Sequence, residues 1–253
     1  MSIVKCLVPI SGGRDSQACL RLAVEHFDRS EILGLFCDTQ YEHPKTYAHI
    51  SWMAEYYGVQ IRTVTAGDVL EKSAKYGRFP GGGARHCTDE LKIVPTKKFC
   101  KALAESQGVG FEVWYGMRTQ ESAARARRYD GKVPGELYPP HLVMPSKYPK
   151  YLHKLGVEFR LCVVDWSEEQ VTDCVGWENL NPLYHAGFPR VGCFPCLASG
   201  DKWKEKAFQF DDFGAGQLIR TRQVSEEIGK NIFTSKGGQS RNGEGPGCKV
   251  CEI

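Results

Sequence analysis

The run Ser11-Gly12-Gly13-Arg14-Asp15-Ser16 concentrates two glycines, two hydroxyls, a cation and a carboxylate into six residues. Glycines let a backbone come close to an anion. Where such a turn opens a helix, the first N–H groups of the helix point at the same place and favour negative charge. The chemistry open to this hexamer is the binding of phosphate-like oxygens. A plain glycine turn is the alternative. The order differs from the phosphate loop that ends in Gly-Lys-Ser/Thr.

Two further runs could serve the same chemistry. Gly116-Met117-Arg118-Thr119-Gln120-Glu121-Ser122-Ala123-Ala124-Arg125 opens on an arginine, whose planar fork matches phosphate oxygens. Within it, Glu121 and Arg125 have the spacing of an ion pair on one helix. Asp38-Thr39 offers a carboxylate for a ribose hydroxyl or an adenine amino group, or else a cap for the following turn. The thiols form a third group: Cys87, then Cys193-Phe194-Pro195-Cys196, then Cys248-Lys249-Val250-Cys251. Two C-x-x-C pairs can make a four-thiolate site for zinc or iron–sulfur. The gap between them is longer than the roughly 15–20 residues of a zinc ribbon.

These groups need elements to hold them. Apolar runs at 3–10, 32–38, 59–64, 110–116 and 161–165 read as strands. Helical periodicity covers 17–24, 47–57 and 98–106, and Ser167 with Gln170 forms a capped helix start. Strands alternating with helices imply βαβ units and a parallel sheet, which binds ligands at the carboxyl ends of its strands. The runs at Ser11, Asp38 and Gly116 each follow a strand. Between 126 and 160 periodicity fades and prolines accumulate, as in a loop-rich excursion. Residues 235–247 have the composition of a flexible segment.

Ser11–Ser16 resembles the PP-loop, Ser-Gly-Gly-x-Asp-Ser, of ATP pyrophosphatases, which split ATP between its α- and β-phosphates. Asp38-Thr39 with Glu42 and Thr46, and Gly116-x-Arg118 with Glu121, Ser122 and Arg125, resemble nucleotide-contacting segments of the phosphoadenylylsulfate (PAPS) reductase branch. The resemblance covers residues 1 to about 200, with the segments in the family's order. It implies an α/β fold of the PP-loop (adenine nucleotide alpha hydrolase-like) type. That fold is a doubly wound parallel sheet with helices on both faces, here with a smaller cysteine-containing C-terminal lobe. The expected division is 1–200 and 201–253. The implied nucleotide-binding residues are Ser11, Gly12, Gly13, Arg14, Asp15, Ser16, Asp38, Thr39, Gly116, Arg118, Glu121 and Arg125. Asp15, Ser16 and Arg118 would be catalytic, Asp15 positioning Mg2+ and Arg118 stabilising departing pyrophosphate.

Arg85-His86-Cys87-Thr88-Asp89-Glu90-Leu91-Lys92-Ile93-Val94-Pro95 and Gly192-Cys193-Phe194-Pro195-Cys196 resemble segments that hold a [4Fe–4S] cluster in such reductases. The implied metal ligands are Cys87, Cys193 and Cys196. His86 replaces the family's adjacent cysteine, so the fourth ligand is Cys248, Cys251 or His86. Zn2+ on the two C-x-x-C pairs and a redox dithiol at Cys193 and Cys196 are the alternatives. The reductases carry a Glu-Cys-Gly-x-His tail, which these 253 residues lack, and they tend to have lost the full PP-loop, which is kept here. Both differences favour ATP as substrate. The resemblance is nearest to sulfur-inserting members, above all those of DNA phosphorothioation, with tRNA thiolation and PAPS or adenylylsulfate reduction as alternatives. The implied partners are ATP, a nucleic-acid acceptor (DNA before tRNA) and a sulfur-donor protein such as a cysteine desulfurase, with an oligomer possible. A zinc-ribbon nucleic-acid-binding module is the non-enzymatic alternative, and it leaves the PP-loop unexplained.

Composition sets the outer bounds. With 253 residues, 42% of them hydrophobic, the chain can build one α/β core and a small appended lobe. A net charge of +3 says little about partners. Neither a membrane span nor a signal peptide is evident, so a cytoplasmic location is expected. In a reducing compartment, eleven cysteines point to metal before disulfides. Cys6, Cys19, Cys37, Cys100, Cys162 and Cys174 read as single small hydrophobes.

Overall fold

The computed structural model describes residues 2–81, 85–144 and 149–233. These residues fall into two compact units, each interleaved along the chain. The first is drawn from Met1–Cys37, Pro44–Val64 and Ile93–Val191; the second from Asp38–His43, Thr65–Lys92 and Gly192–Ile253. Cys248, Cys251 and the segment 235–247 lie outside the described residues.

The first unit holds a six-stranded sheet in the order β3-β2-β1-β4-β6-β5. The strands are β1 (Cys6–Ile10), β2 (Ile32–Asp38), β3 (Gln60–Thr65), β4 (Glu112–Trp114), β5 (Leu137–Tyr138) and β6 (Glu158–Arg160). β1 runs parallel to β2 and β4, and β4 parallel to β6; β5 pairs antiparallel with β6. Successive residues of a strand face opposite sides of the sheet, and the core divides accordingly. Cys6, Val8 and Ile10 pack with residues of α1 (Arg14–His26), α2 (Pro44–Tyr57) and the helix Glu168–Val175. Leu7 joins the opposite cluster, with Cys100 and Ala104 of the helix Val94–Gln107. Both faces are thus covered by helices, as the doubly wound fold requires.

The apolar run 161–165 is not a strand. The strand is Glu158–Arg160; Leu161 to Val164 turn beyond its tip, with the Val164 N–H donating to the Leu161 carbonyl at 3.1 Å. All four are buried, and an apolar run records burial without specifying extension. The expected helix start at Ser167 is present as a reciprocal box with Gln170. The 126–160 stretch contains short helices and the β5–β6 pair. Cys19 and Cys162 are not isolated: their sulfurs lie 3.0 Å apart.

In the second unit, α3 (Val69–Tyr76) is capped by the Asp68 side chain, which accepts from the Leu70 N–H. It packs on the helix Asp212–Ile228, and Tyr41, Val69, Leu70, Leu91, Leu197 and Ile232 form the core. No described helix is long and apolar enough to cross a membrane.

Candidate functional site

In the first unit, the hexamer links the tip of β1 to the start of α1. Gly12 has φ +71°, and a Cβ there would meet Thr46 Cγ2 at 2.7 Å. Only glycine fits both conditions. The Asn181 amide donates to the Gly12 carbonyl at 3.2 Å, and the Tyr184 hydroxyl accepts the Arg14 N–H at 3.2 Å. α1 begins with no side-chain cap at Gly13, so amides of its first turn beyond Arg14 could take an anionic ligand. Ser16 is buried and works inside the loop: its hydroxyl donates to the Gly13 carbonyl at 2.8 Å and accepts the Ser11 N–H at 3.2 Å. The Arg14 guanidinium is taken by Glu168 at 2.8 Å and the Pro189 carbonyl at 3.0 Å.

Gly116 and Arg118 come to the same loop from the end of β4. The Arg118 side chain is buried, and its Nε donates to Asp15 Oδ1 at 2.5 Å. This contact joins two residues 103 positions apart in the chain. Gly116 lies so close that a Cβ would stand 2.6 Å from the Asp15 carbonyl carbon and oxygen. Glu121 accepts the Arg118 backbone N–H at 3.1 Å and pairs with Arg125. The last two do not share one helix: Glu121 ends the 3-10 turn Thr119–Glu121, and Ser122 caps the helix Ala123–Arg128. A capping serine between them breaks the helical run, yet the ion pair survives. The result is a carboxylate and a buried guanidinium fixed beside a helix N-terminus, able to hold a polyphosphate and its metal ion.

The second unit gathers the thiols. Glu42 and Cys193 form an antiparallel bridge, and the Phe194 N–H donates to the Tyr41 carbonyl at 2.7 Å. Thr39 is buried; its hydroxyl donates to Glu42 Oε1 at 2.8 Å and lies 3.2 Å from the Cys193 sulfur. Asp38 accepts the Gln40 N–H at 2.8 Å, the turn-capping role open to it from sequence. Burial pushes the Cys193 thiol up to about 12 and also raises Cys87 and the Glu42 carboxyl. Lys92 is held above its ordinary value first by Cys193, then by Glu42, Cys196 and Cys87, against the opposing effect of burial. Lys92 is thus coupled through charge to three thiols and a carboxylate.

The donor chemistry of this cluster suits a thiolate-bound metal. Among the described residues, however, no three donors close into a ligating group, and Cys248 and Cys251 are not among them. His86 is buried with neither ring nitrogen hydrogen-bonded, and it stacks on Tyr76 at 4.7 Å. Lys92 was not singled out from sequence, and Glu42 was named there only within a nucleotide-contacting segment. Both lay inside quoted motifs, but only the fold makes them neighbours of Cys193.

The model of the phosphoadenosine phosphosulfate reductase domain matches residues 5–199. The chain belongs to this family. An uncharacterized protein of Methanocaldococcus jannaschii is 28% identical over 194 residues, which are 76% of this chain and 36% of that protein. Adenosine 5'-phosphosulfate reductase of Agrobacterium fabrum is 29% identical over 150 residues, 56% of this chain and 48% of the enzyme. Among solved structures, U34-tRNA thiolase NcsA from Methanococcus maripaludis, with its [4Fe-4S] cluster, aligns at TM-score 0.49 and 17% identity, over 100% of this chain and 82% of that one. The chain spans about a third to two thirds of the length of the first curated relatives it matches.

Proposed function

We propose that this family member cleaves ATP to AMP and pyrophosphate and uses the adenylyl group to activate an oxygen for replacement by sulfur. The observation that carries the reading is the intact Ser11–Ser16 loop, with Asp15 held by the buried Arg118. An acceptor oxygen attacks the α-phosphorus, and the bond from that phosphorus to the bridging oxygen breaks. Pyrophosphate leaves with both electrons of that bond. The α1 amides and Arg118 stabilise the charge that gathers on it, and Asp15 positions Mg2+. Hydrosulfide then attacks the activated acceptor atom, and AMP departs with the original oxygen. The acceptor we favour is a nucleic acid, DNA phosphate before a tRNA base carbonyl. A sulfur-donor protein such as a cysteine desulfurase would supply the sulfur as a persulfide, and a dithiol reductant, itself oxidised to a disulfide, would release it as hydrosulfide. Cys87, Cys193 and Cys196, with a fourth ligand from Cys248 or Cys251, would hold a [4Fe–4S] cluster, which would supply a carrier for sulfur or electrons; the alternative Zn2+ would sit on the two C-x-x-C pairs.

The likeness to adenosine 5'-phosphosulfate reductases supports a second reading, reduction of a sulfonucleotide to sulfite. One experiment separates the two. Purified anaerobically, the protein is given ATP, a DNA oligonucleotide, cysteine, a desulfurase and a dithiol reductant, and the nuclease digest is searched by mass for phosphorothioate. In parallel it is given adenylylsulfate or PAPS with thioredoxin. Sulfur in the digest supports the first reading; sulfite without it supports the second.

A further inference from the structure

We infer that a groove between α2 and residues 178–182 binds an unpaired base of a single-stranded nucleic acid. This rests on the nucleic-acid acceptor proposed above and says where part of it would sit. Lys45, His49, Trp52 and Tyr56 fall at helical spacing on one stripe of α2. The rings form a near-parallel stack: His49 to Trp52 is 5.2 Å at 19°, and Trp52 to Tyr56 is 4.6 Å at 21°. Tyr56, at the end of the stack, is 57% exposed. Lys45, His49 and Trp52 line one wall of the groove, and Glu178, Asn179 and Pro182 line the other. Its volume is about 330 Å³, at the small end of the roughly 300–1,000 Å³ of small-ligand sites.

These wall materials select the occupant. His49 and Tyr56 cover the two sides of Trp52, so the free π-face is the outer one of Tyr56 at the end of the stack, on which any base can stack. Lys45 supplies a cation for the adjoining phosphate, and Glu178 a carboxylate able to accept from a base amino group. An apolar peptide would be better served by an aliphatic wall without charges at its rim.

The groove also shares its framework with the phosphate loop. Gln17, one residue after the hexamer, is fully buried. Its amide nitrogen donates to the Asn179 carbonyl at 2.8 Å, and its oxygen lies 3.0 Å from His49 Nε2. It therefore ties both walls to α1. Thr46 and Asn181, which contact Gly12, adjoin Lys45 and Pro182 of the groove. A strand seated here would lie beside the loop proposed to activate it.

The test is fluorescence anisotropy of the full chain with a short end-labelled DNA single strand and with the same sequence as a duplex. Wild type should prefer the single strand. Tyr56→Ala removes the free face and should weaken that binding by roughly five- to a hundred-fold, the range for losing one stacked base, and leave duplex binding unaffected. Trp52→Ala removes the ring that Tyr56 stacks on and should weaken single-strand binding in the same direction. Equal affinity for single strand and duplex would overturn the inference. So would unchanged single-strand affinity in both variants. No readout involves ATP turnover, so failure here and failure of the AMP-forming reaction are told apart.

Discussion

Gly116→Ala tests the close approach on which the Ser11–Ser16 loop depends. A Cβ at residue 116 would stand 2.6 Å from the carbonyl carbon and oxygen of Asp15 and 2.9 Å from the Ser16 nitrogen. All three are backbone atoms at the start of α1, so no rotamer change can relieve the clash. Gly116 is not among the positive-φ glycines, so alanine brings no conformational strain and the effect is purely steric. Overpacking of this kind costs about 1–3 kcal/mol. For a chain of this size that lowers Tm by roughly 2–12 °C. The displaced atoms carry Asp15 and the first amides of α1, so ATP affinity should fall together with stability. Gly135→Ala is the control, because a Cβ there meets nothing within 4 Å. Thermal unfolding with and without Mg-ATP reads both effects. A Gly116→Ala protein that melts with wild type and is stabilised equally by Mg-ATP would refute the reasoning.

Three further outcomes are expected. Arg118→Ala should lower pyrophosphate release by about 10²–10³-fold, the usual effect of removing one preorganised donor from developing charge; a coupled phosphate assay checks it. His49 should make the fold acid-sensitive. Burial lowers it from 6.5 to about 4, so between those values the unfolded chain binds the proton and the native protein does not. Stability therefore falls as pH drops from 6.5 towards 4, by roughly 3 kcal/mol in all. Urea midpoints at pH 7 and 4.5 should differ less in His49→Gln than in wild type. For the thiols, Cys87→Ser should remove bound iron, and the brown colour with it, if Cys87, Cys193 and Cys196 share a cluster. Full metal retention, counted by elemental analysis, would favour zinc on the two C-x-x-C pairs.

Much of the sheet and the turn from β1 into α1 was legible because both are local. β2 was expected over 32–38 and runs Ile32–Asp38, since a continuous apolar run between turn signals is what a strand buried on both faces requires. The Ser167–Gln170 box was readable because both partners lie within one turn. The Asp15–Arg118 contact depends on β1 and β4 being neighbours, which no local pattern states. The second unit was the least legible. It draws Thr39 and Glu42, then Cys87 and Lys92, then Cys193 from three separated segments, and only tertiary packing makes them one cluster. Leu161 to Val164 misled for the opposite reason: their composition reports burial, and their backbone turns.

The central claim is that the Ser11–Ser16 loop directs cleavage between the α- and β-phosphates. The most direct measurement supplies ATP labelled in the α-phosphate in one reaction and in the γ-phosphate in another, with Mg2+ and single-stranded DNA, and separates the products. The account predicts label in AMP from the first and in pyrophosphate from the second, both lost in Asp15→Ala. Label in ADP and orthophosphate would contradict it.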